Sequence, residues 1–395
     1  MKRDSAILSH PLMIVGRDKN SQSPAFSGGE QKDCIMEEIM RFIHIADVHL
    51  GVTPDVGMPW SEKRGKDIWN SFHMVLEEAR RQQADLLLIA GDLFHRQPLK
   101  RELKEVAAGF AAIPDTEIVL IAGNHDYLHP KSYYRTFAWP DNVHFILNKD
   151  LTSVHLERIH TTVWGCSFWD KEDDRAVYGK HQRQMDSEFQ ILLGHGGDDR
   201  HHPFRANELT AGYDYAAFGH IHKAAQLIPN RVVMAGSLEP TDCNDFGPHG
   251  FWMGELTEAG CRVSFYPIKK CEYIRQELPV TPEMSAYAMV GLAQQELAKR
   301  APYQISHLVL RGYRDADIVL PVQELAQLNR VVRVVDETEP DYPFDQLKQR
   351  YDGTLLAQYI ETLEAYPDAA SGRKALYYGV QAMLNAMGGR TGDIG

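Results

Sequence analysis

The stretch Phe42-Ile43-His44-Ile45-Ala46-Asp47-Val48-His49-Leu50-Gly51 reads as a short, apolar-rich strand that runs straight into a polar turn. The same grammar recurs four times. Leu86–Ala90 leads into Gly91-Asp92-Leu93-Phe94-His95, and Ile118–Ala122 into Gly123-Asn124-His125-Asp126. Phe189–Leu193 leads into Gly194-His195-Gly196, and Tyr215–Phe218 into Gly219-His220-Ile221-His222. Val143–Leu147, Thr161–Gly165 and Val232–Ala235 are further runs of strand length. Between the first two strands, Glu62–Gln82 places Ile68, Phe72, Val75, Leu76 and Ala79 on one face at helical period. Strands that are apolar throughout and separated by helices predict an α/β fold whose sheet is covered on both faces.

In such a sheet the carboxyl ends of the strands converge on one crevice, so five strand-end motifs can surround one point. Their donors are carboxylate, amide and imidazole with no thiolate, a set that suits Mn²⁺, Fe²⁺ or Zn²⁺. Seven candidate ligands (Asp47, His49, Asp92, Asn124, His195, His220 and His222) exceed the needs of one ion. They suit two ions if one carboxylate bridges. In Asp47-Val48-His49 and His220-Ile221-His222 the i and i+2 side chains share a side of extended backbone. Any one motif alone is weak, since an Asp after a strand is commonly a helix cap. A lone His at a strand end is commonly a hydrogen-bonded structural residue. Five such motifs in order favour a binuclear metal centre.

The 395 residues leave room for two domains. With 44% apolar and 10% aromatic residues, the composition excludes a disordered chain. No apolar run approaches membrane-spanning length. The five cysteines are scattered and form no CxxC pair, which points to a reducing, cytoplasmic setting. Acidic residues outnumber basic ones 54 to 42, for a net charge of −12, and this argues at first against a nucleic-acid partner. Field strength is local, however, and basic residues follow the candidate metal loops. They are Arg64 and Lys66, then Arg96, Lys100 and Arg101, then Lys131 and Arg135, and finally Lys223. Of these, Arg64, Arg96 and Lys223 are the candidate substrate-binding residues.

Three segments are expected. Residues 1–39 read as a flexible leader, with Met40 an alternative start directly before the first strand. Residues 40–279 carry the strand-end motifs, closing with Phe251–Glu255 and Arg262–Ile268 as half-exposed antiparallel strands. Residues 280–395 read as a smaller α+β unit. There Thr281-Pro282-Glu283 opens a helix to about Arg300, with Pro at its first position. Strands at Ser306–Tyr313 and Val331–Val335 follow, then helices around Gly353–Glu364 and Arg373–Met387.

The ordered set DxH, GDxxx, GNHD, GHxx and GHxH resembles the calcineurin-like metallophosphoesterases, from Asp47 to His222. The resemblance implies a four-layer αββα sandwich with the smaller C-terminal α+β unit as a capping domain. It implies that Asp47, His49, Asp92 and His222 hold one ion, and that Asp92 bridges to a second held by Asn124, His195 and His220. It makes His125 the catalytic histidine that protonates the leaving alkoxide, with Asp126 positioning its ring. The Arg-rich GDxVDRG and the GNHE of protein Ser/Thr phosphatases are absent.

ADVHLG, GDLFH and GNHD, with Gly236-Ser237-Leu238-Glu239 after the last motif, are similar to the SbcD-type DNA repair exonucleases. That resemblance implies an active-site role for His95, manganese as the metal, DNA as substrate and an SMC-like, SbcC-type ATPase as partner. It also implies a cap that helps hold DNA and a homodimer built on first-domain helices. The chain lacks the long basic C-terminal tail of the longer relatives and is closer to the shorter YhaO-like branch. The reading is a metal-dependent DNA exo- or endonuclease subunit of double-strand break repair. The alternative is a small-nucleotide phosphodiesterase or phosphatase of the same superfamily. A scaffold that has lost catalysis is disfavoured because every expected ligand is present.

Overall fold

The apolar strands and amphipathic helices assemble in the order the sequence suggests. In this computed structural model, residues 39–179, 188–366 and 369–388 are described. The chain divides into Met1–Glu37 and Glu38–Gly395, and all described residues belong to the second unit. The leader therefore lies outside the described residues apart from Ile39.

The first half contains β1 (Met40–Ile45), α1 (Ser61–Gln82), β2 (Leu86–Ala90), α2 (Lys100–Ala111), β3 (Glu117–Ile121) and β4 (Val143–Phe145). Then come β5 (Thr152–Leu156), β6 (Thr161–Gly165), β7 (Phe189–His195), α3 (Ala206–Leu209) and β8 (Tyr215–Gly219). A run of strands follows: β9 (Ala225–Ile228), β10 (Val232–Met234), β11 (His249–Thr257), β12 (Gly260–Ile268) and β13 (Glu272–Val280). The chain closes with α4 (Ala286–Ala298), β14 (Gln304–Arg314), α5 (Val322–Ala326), β15 (Val331–Pro340), α6 (Phe344–Arg350), α7 (Leu355–Glu364) and α8 (Ala369–Gly388).

Two six-stranded sheets form a sandwich, ordered β12-β11-β1-β2-β3-β4 and β5-β6-β7-β8-β10-β9. They stack through Phe42, Ala46, Leu86, Leu88, Ala90, Val119 and Ile121 against Val163, Ile191, Leu193, Tyr215, Ala217 and Val233. The alternate residues Ile43, Ile45, Leu87, Ile89, Ile118 and Leu120 face the other way, onto Ile68, Phe72 and Val75 of α1 and Leu103, Val106 and Phe110 of α2. Burial on both faces is why these strands show no polar alternation. The outer face of the second sheet has a thinner cover. Leu192, Ala216, Phe218, Val232 and Met234 pack there against Tyr178, Phe204, Leu209 and Tyr213. Among the described residues this layer is the four-residue α3 and loops rather than long helices.

A third sheet, β13-β14-β15, is parallel throughout. It takes in Glu272–Val280, eight residues ahead of the boundary that the composition shift at 280 suggests. Leu278 and Val280 pack on one face with Met289 and Ala293 of the following helix, while Tyr273 turns to the opposite face toward Ile305 and Trp60, so β13 is buried in part on both sides. The helix start also differs from expectation. The Thr281-Pro282 pair forms a turn, closed by Met284 N–H donating to Thr281 C=O at 3.0 Å. Helix α4 begins at Ala286, where Ser285 Oγ accepts from Ala288 N–H at 3.2 Å. A serine oxygen satisfies an orphan N–H of the first turn, which a proline ring cannot do. The third sheet is tied to the sandwich at Asp55, whose Oδ2 accepts from Trp60 Nε1–H and Tyr273 OH, each at 2.6 Å.

Candidate metal centre

All five strand-end motifs meet at one end of the sandwich, and strain marks their turns. Asp47, His49, Asp92 and His220 have φ values of 48°, 52°, 51° and 92°. The left-handed region costs a side-chain-bearing residue about 1–3 kcal/mol and persists only where neighbours enforce it. Here the loops after β1 and β2 zip together: Asp47 N–H donates to Gly91 C=O at 3.2 Å, His49 N–H to Asp92 C=O at 3.1 Å and Leu50 N–H to Leu93 C=O at 2.9 Å. Gly123 is required for closeness, since a Cβ there would fall 2.2 Å from Asp92 Oδ1.

Asp92 is central. Its Oδ2 lies 3.4 Å from His195 Nε2 and 4.0 Å from His49 Nε2, and its Oδ1 accepts from His125 N–H at 2.8 Å. On one side of it, Asp47, His49 and His222 form a cluster, with His49 Nε2 and His222 Nε2 3.0 Å apart. On the other, Asn124 Oδ1 lies 2.9 Å from His195 Nε2 and 3.1 Å from His220 Nδ1. The structure thus brings together all seven predicted ligands, with Asp92 between His49 on one side and His195 on the other.

The donor chemistry fits cations. His195 Nδ1–H donates to Ala90 C=O at 2.8 Å, so Nε2 is the nitrogen turned inward, where an ion would take the place of a proton. His195 Nε2 and His220 Nδ1 both face the Asn124 carbonyl oxygen. Asp47 Oδ2 accepts from His220 N–H at 2.8 Å, yet buried Asp47 Oδ1 has no hydrogen-bond partner among the described residues. A divalent ion satisfies such groups.

The electrostatics divide the site. Burial pushes the Asp47 carboxyl up to about 6 and drives the His49 ring well below its usual value. Burial also opposes charge on His195, but the Asp92 carboxylate beside it lifts that ring up to about 9. Asp92 is itself held far below the usual carboxylate range by His195, against the burial that pushes it up. Positive charge is drawn to Asp92, whereas burial disfavours charge on Asp47 and His49 in the absence of a partner.

His95 and His125 lie half-buried at the mouth, their ring centroids 5.0 Å apart and 5.3 Å and 4.8 Å from His49. Asp126 does not hold the His125 ring as expected. Its carboxylate is turned away and accepts from Gly123 N–H at 2.9 Å, Phe94 N–H at 3.1 Å and Tyr134 OH at 2.8 Å. A buried carboxylate goes where N–H and O–H donors are, and the loop backbone supplies them. Burial pushes its pKa up to about 7. The partner of the ring is the His95 backbone, whose C=O accepts from His125 Nδ1–H at 3.1 Å.

The expected basic rim divides. Arg64 is only 2% exposed and donates to Glu239 Oε2 at 3.0 Å and Pro240 C=O at 2.7 Å. It is a buried pillar under the Gly236-Ser237-Leu238-Glu239 loop, its guanidinium held internally rather than offered at the surface. Arg96 is exposed but forms a bidentate pair with Glu102, at 2.9 and 2.6 Å. Lys100 and Arg135 lie over the rings of Tyr133 and Trp169, both at 4.9 Å. Lys223, next to His222, remains exposed. Sequence reasoning missed Asp198, which faces His220 Nε2 at 2.8 Å, and Asp245, which faces His222 Nδ1 at 3.1 Å. Both lie in loops rich in acidic residues, where no spacing singles one out.

With this geometry in view, the calcineurin-like phosphoesterase family description matches residues 40–224, the span of all five motifs. Residues 40–224 are a calcineurin-like phosphoesterase domain. The chain is similar to the uncharacterized metallophosphoesterase YhaO of Bacillus subtilis, at 24% identity over 83% of this chain and 91% of that protein. It is also similar to DNA double-strand break repair proteins Mre11. That of Methanopyrus kandleri is 23% identical over 76% of this chain and 73% of that protein. That of Aeropyrum pernix is 28% identical over 53% and 56% respectively. The phosphoesterase domain therefore carries a candidate divalent-metal site in a family that hydrolyses phosphoesters. No helix among the described residues is long and apolar enough to cross a membrane.

Proposed function

We propose that this phosphoesterase is a DNA exo- or endonuclease subunit acting in double-strand break repair, with manganese as its metal. The observation that carries the reading is the His95–His125 pair, packed on the ligand cluster at the open mouth of the crevice. A bound pair of divalent ions supplies Lewis acidity and an activated water for attack at phosphorus. Asp47, His49, Asp92 and His222 would hold one ion; Asp92, Asn124, His195 and His220 the other. His125 supplies the proton. Its Nδ1–H is committed to the His95 carbonyl, so Nε2 is the nitrogen that donates to the leaving alkoxide. His95 flanks that position with its own imidazole. The similarity to proteins named for DNA double-strand break repair supports DNA as substrate.

Arg64 and Arg96 are taken up internally and the chain carries −12, so its own grip on a phosphate backbone is weak and salt-sensitive. An SMC-like ATPase partner that supplies the grip belongs to the same reading, as do a homodimer and a cytoplasmic setting.

The test is cleavage by the purified protein with Mn²⁺. Single-stranded and hairpin DNA are compared with bis-p-nitrophenyl phosphate and cyclic nucleotides at several salt concentrations. DNA cleavage that disappears in His125→Ala with metal binding intact is the expected result. Turnover of the small esters with no cut in DNA at any salt would sink the nuclease reading in favour of a small-nucleotide phosphodiesterase.

A further inference from the structure

The two histidines of the last motif present opposite ring nitrogens to the crevice. His222 turns Nε2 inward, 3.0 Å from His49 Nε2, while its Nδ1–H donates outward to Asp245 Oδ2 at 3.1 Å. His220 turns Nδ1 inward, 3.1 Å from Asn124 Oδ1, while its Nε2–H donates outward to Asp198 Oδ2 at 2.8 Å. A neutral imidazole has one N–H, and the carboxylate that takes it decides which nitrogen keeps a lone pair. We propose that Asp245 and Asp198 are positioning residues that fix complementary tautomers of this pair, so that His222 binds one ion through Nε2 and His220 the other through Nδ1. The inference rests on the metal-centre assignment and is independent of which phosphoester is cut.

Both carboxylates are built to stay in place. Asp245 Oδ2 also accepts from Thr241 N–H at 3.0 Å, Thr241 Oγ1–H at 3.1 Å and Asp242 N–H at 3.2 Å. Four donors thus converge on one oxygen. Asp198 Oδ1 accepts from Arg200 N–H at 2.8 Å, His201 N–H at 2.9 Å and His201 Nδ1–H at 2.8 Å. Their surroundings differ. The Asp245 side chain is 19% exposed and the Asp198 side chain 44%. Water screens the second more, so Asp245 has the larger effect. Each aspartate touches the histidine of a different ion, so each governs a different binding step.

The experiment is calorimetric Mn²⁺ titration of the full chain, beside Asp245→Ala, Asp245→Asn, Asp198→Ala and Asp198→Asn. Losing an outer-shell partner of a metal-bound histidine costs about 10–100-fold in affinity. Asp245→Ala is expected to weaken one of two binding steps by that factor, and Asp198→Ala the other by less. The Asn variants, whose carbonyl still accepts the N–H, should recover part of each loss. Imidazole ¹⁵N spectra should show His222 protonated at Nδ1 and His220 at Nε2, with each assignment blurred only in its own Ala variant. Unchanged titrations would overturn the proposal. So would equal weakening of both steps by either variant, or an affinity loss matched by a lower melting temperature of the metal-free protein. A wild-type chain that binds two ions and turns over small esters, yet leaves DNA uncut at any salt, would refute the nuclease reading and leave the positioning roles standing.

Discussion

The sandwich and the third sheet are built from the same kind of parallel strands, yet only one of them makes a site. In both, strand ends lie side by side at a carboxyl edge. At the sandwich edge the chain turns through left-handed residues at Asp47, His49, Asp92 and His220, and those turns aim ligands inward. In β13-β14-β15 the strands run on to Val280, Arg314 and Pro340 without such turns. Every cluster of three or more potential ligand side chains among the described residues lies between Asp47 and His222. Convergence of strand ends is therefore not sufficient. The site needs backbone held in a costly conformation, with glycines where side chains would collide.

The largest effect is expected from removing the residue both halves of the site share. Asp92→Asn keeps the shape and removes the bridging charge, and phosphodiester turnover should fall by about three orders of magnitude. Steady-state kinetics on bis-p-nitrophenyl phosphate checks this. A loss below tenfold would mean that the strained edge does not carry the chemistry.

The next prediction concerns Arg64, a pillar rather than a rim residue. Arg64→Ala leaves Glu239 buried with only the Ser71 hydroxyl, at 2.7 Å, to satisfy it. Breaking a buried pair in this way costs about 3–5 kcal/mol, readable by urea unfolding. Loss of DNA affinity with unchanged stability would restore Arg64 to the substrate track.

A smaller effect comes from the seam between the sheets. Burial holds His44 down to about 3 from 6.5, and its Nδ1 lies 2.9 Å from Tyr215 OH. Above pH 6.5 neither the folded nor the unfolded ring carries a proton. Between 6.5 and 3 only the unfolded ring takes one up, so stability falls as pH falls, by about 2 kcal/mol at pH 5. His44→Gln should flatten this slope relative to wild type in melts at pH 7 and pH 5. Parallel slopes in the two proteins would show that the buried seam is not what sets the sandwich apart.

The smallest effect is at Lys223. As a single exposed phosphate contact it is expected to contribute about one unit to the salt slope of DNA binding, with turnover of small esters intact in Lys223→Ala. An unchanged slope would place the phosphate track elsewhere.

The sequence by itself determined the two-sided burial of the strands and all seven candidate ligands. Both follow from local patterns: apolar runs of strand length, and polar residues at fixed spacing behind glycines. Strand β13 and the true start of α4 escaped because Tyr273, Leu278 and Val280 do not share one period-2 face, and because the Ser285 cap lies beyond the Thr281-Pro282-Glu283 helix start that the sequence suggests. Only the tertiary structure decided what the remaining polar residues do. Arg64 and Arg96 look like rim cations in the chain, but Glu239 and Glu102 claim them across loops. Asp126 neighbours His125 in sequence, yet Tyr134 and two backbone N–H groups capture its carboxylate, and the His95 carbonyl holds the ring. Asp198 and Asp245 reach the site from loops whose sequence says nothing of it. A side chain's type is local information, whereas its hydrogen-bond partner depends on which groups folding leaves unsatisfied within about 3 Å.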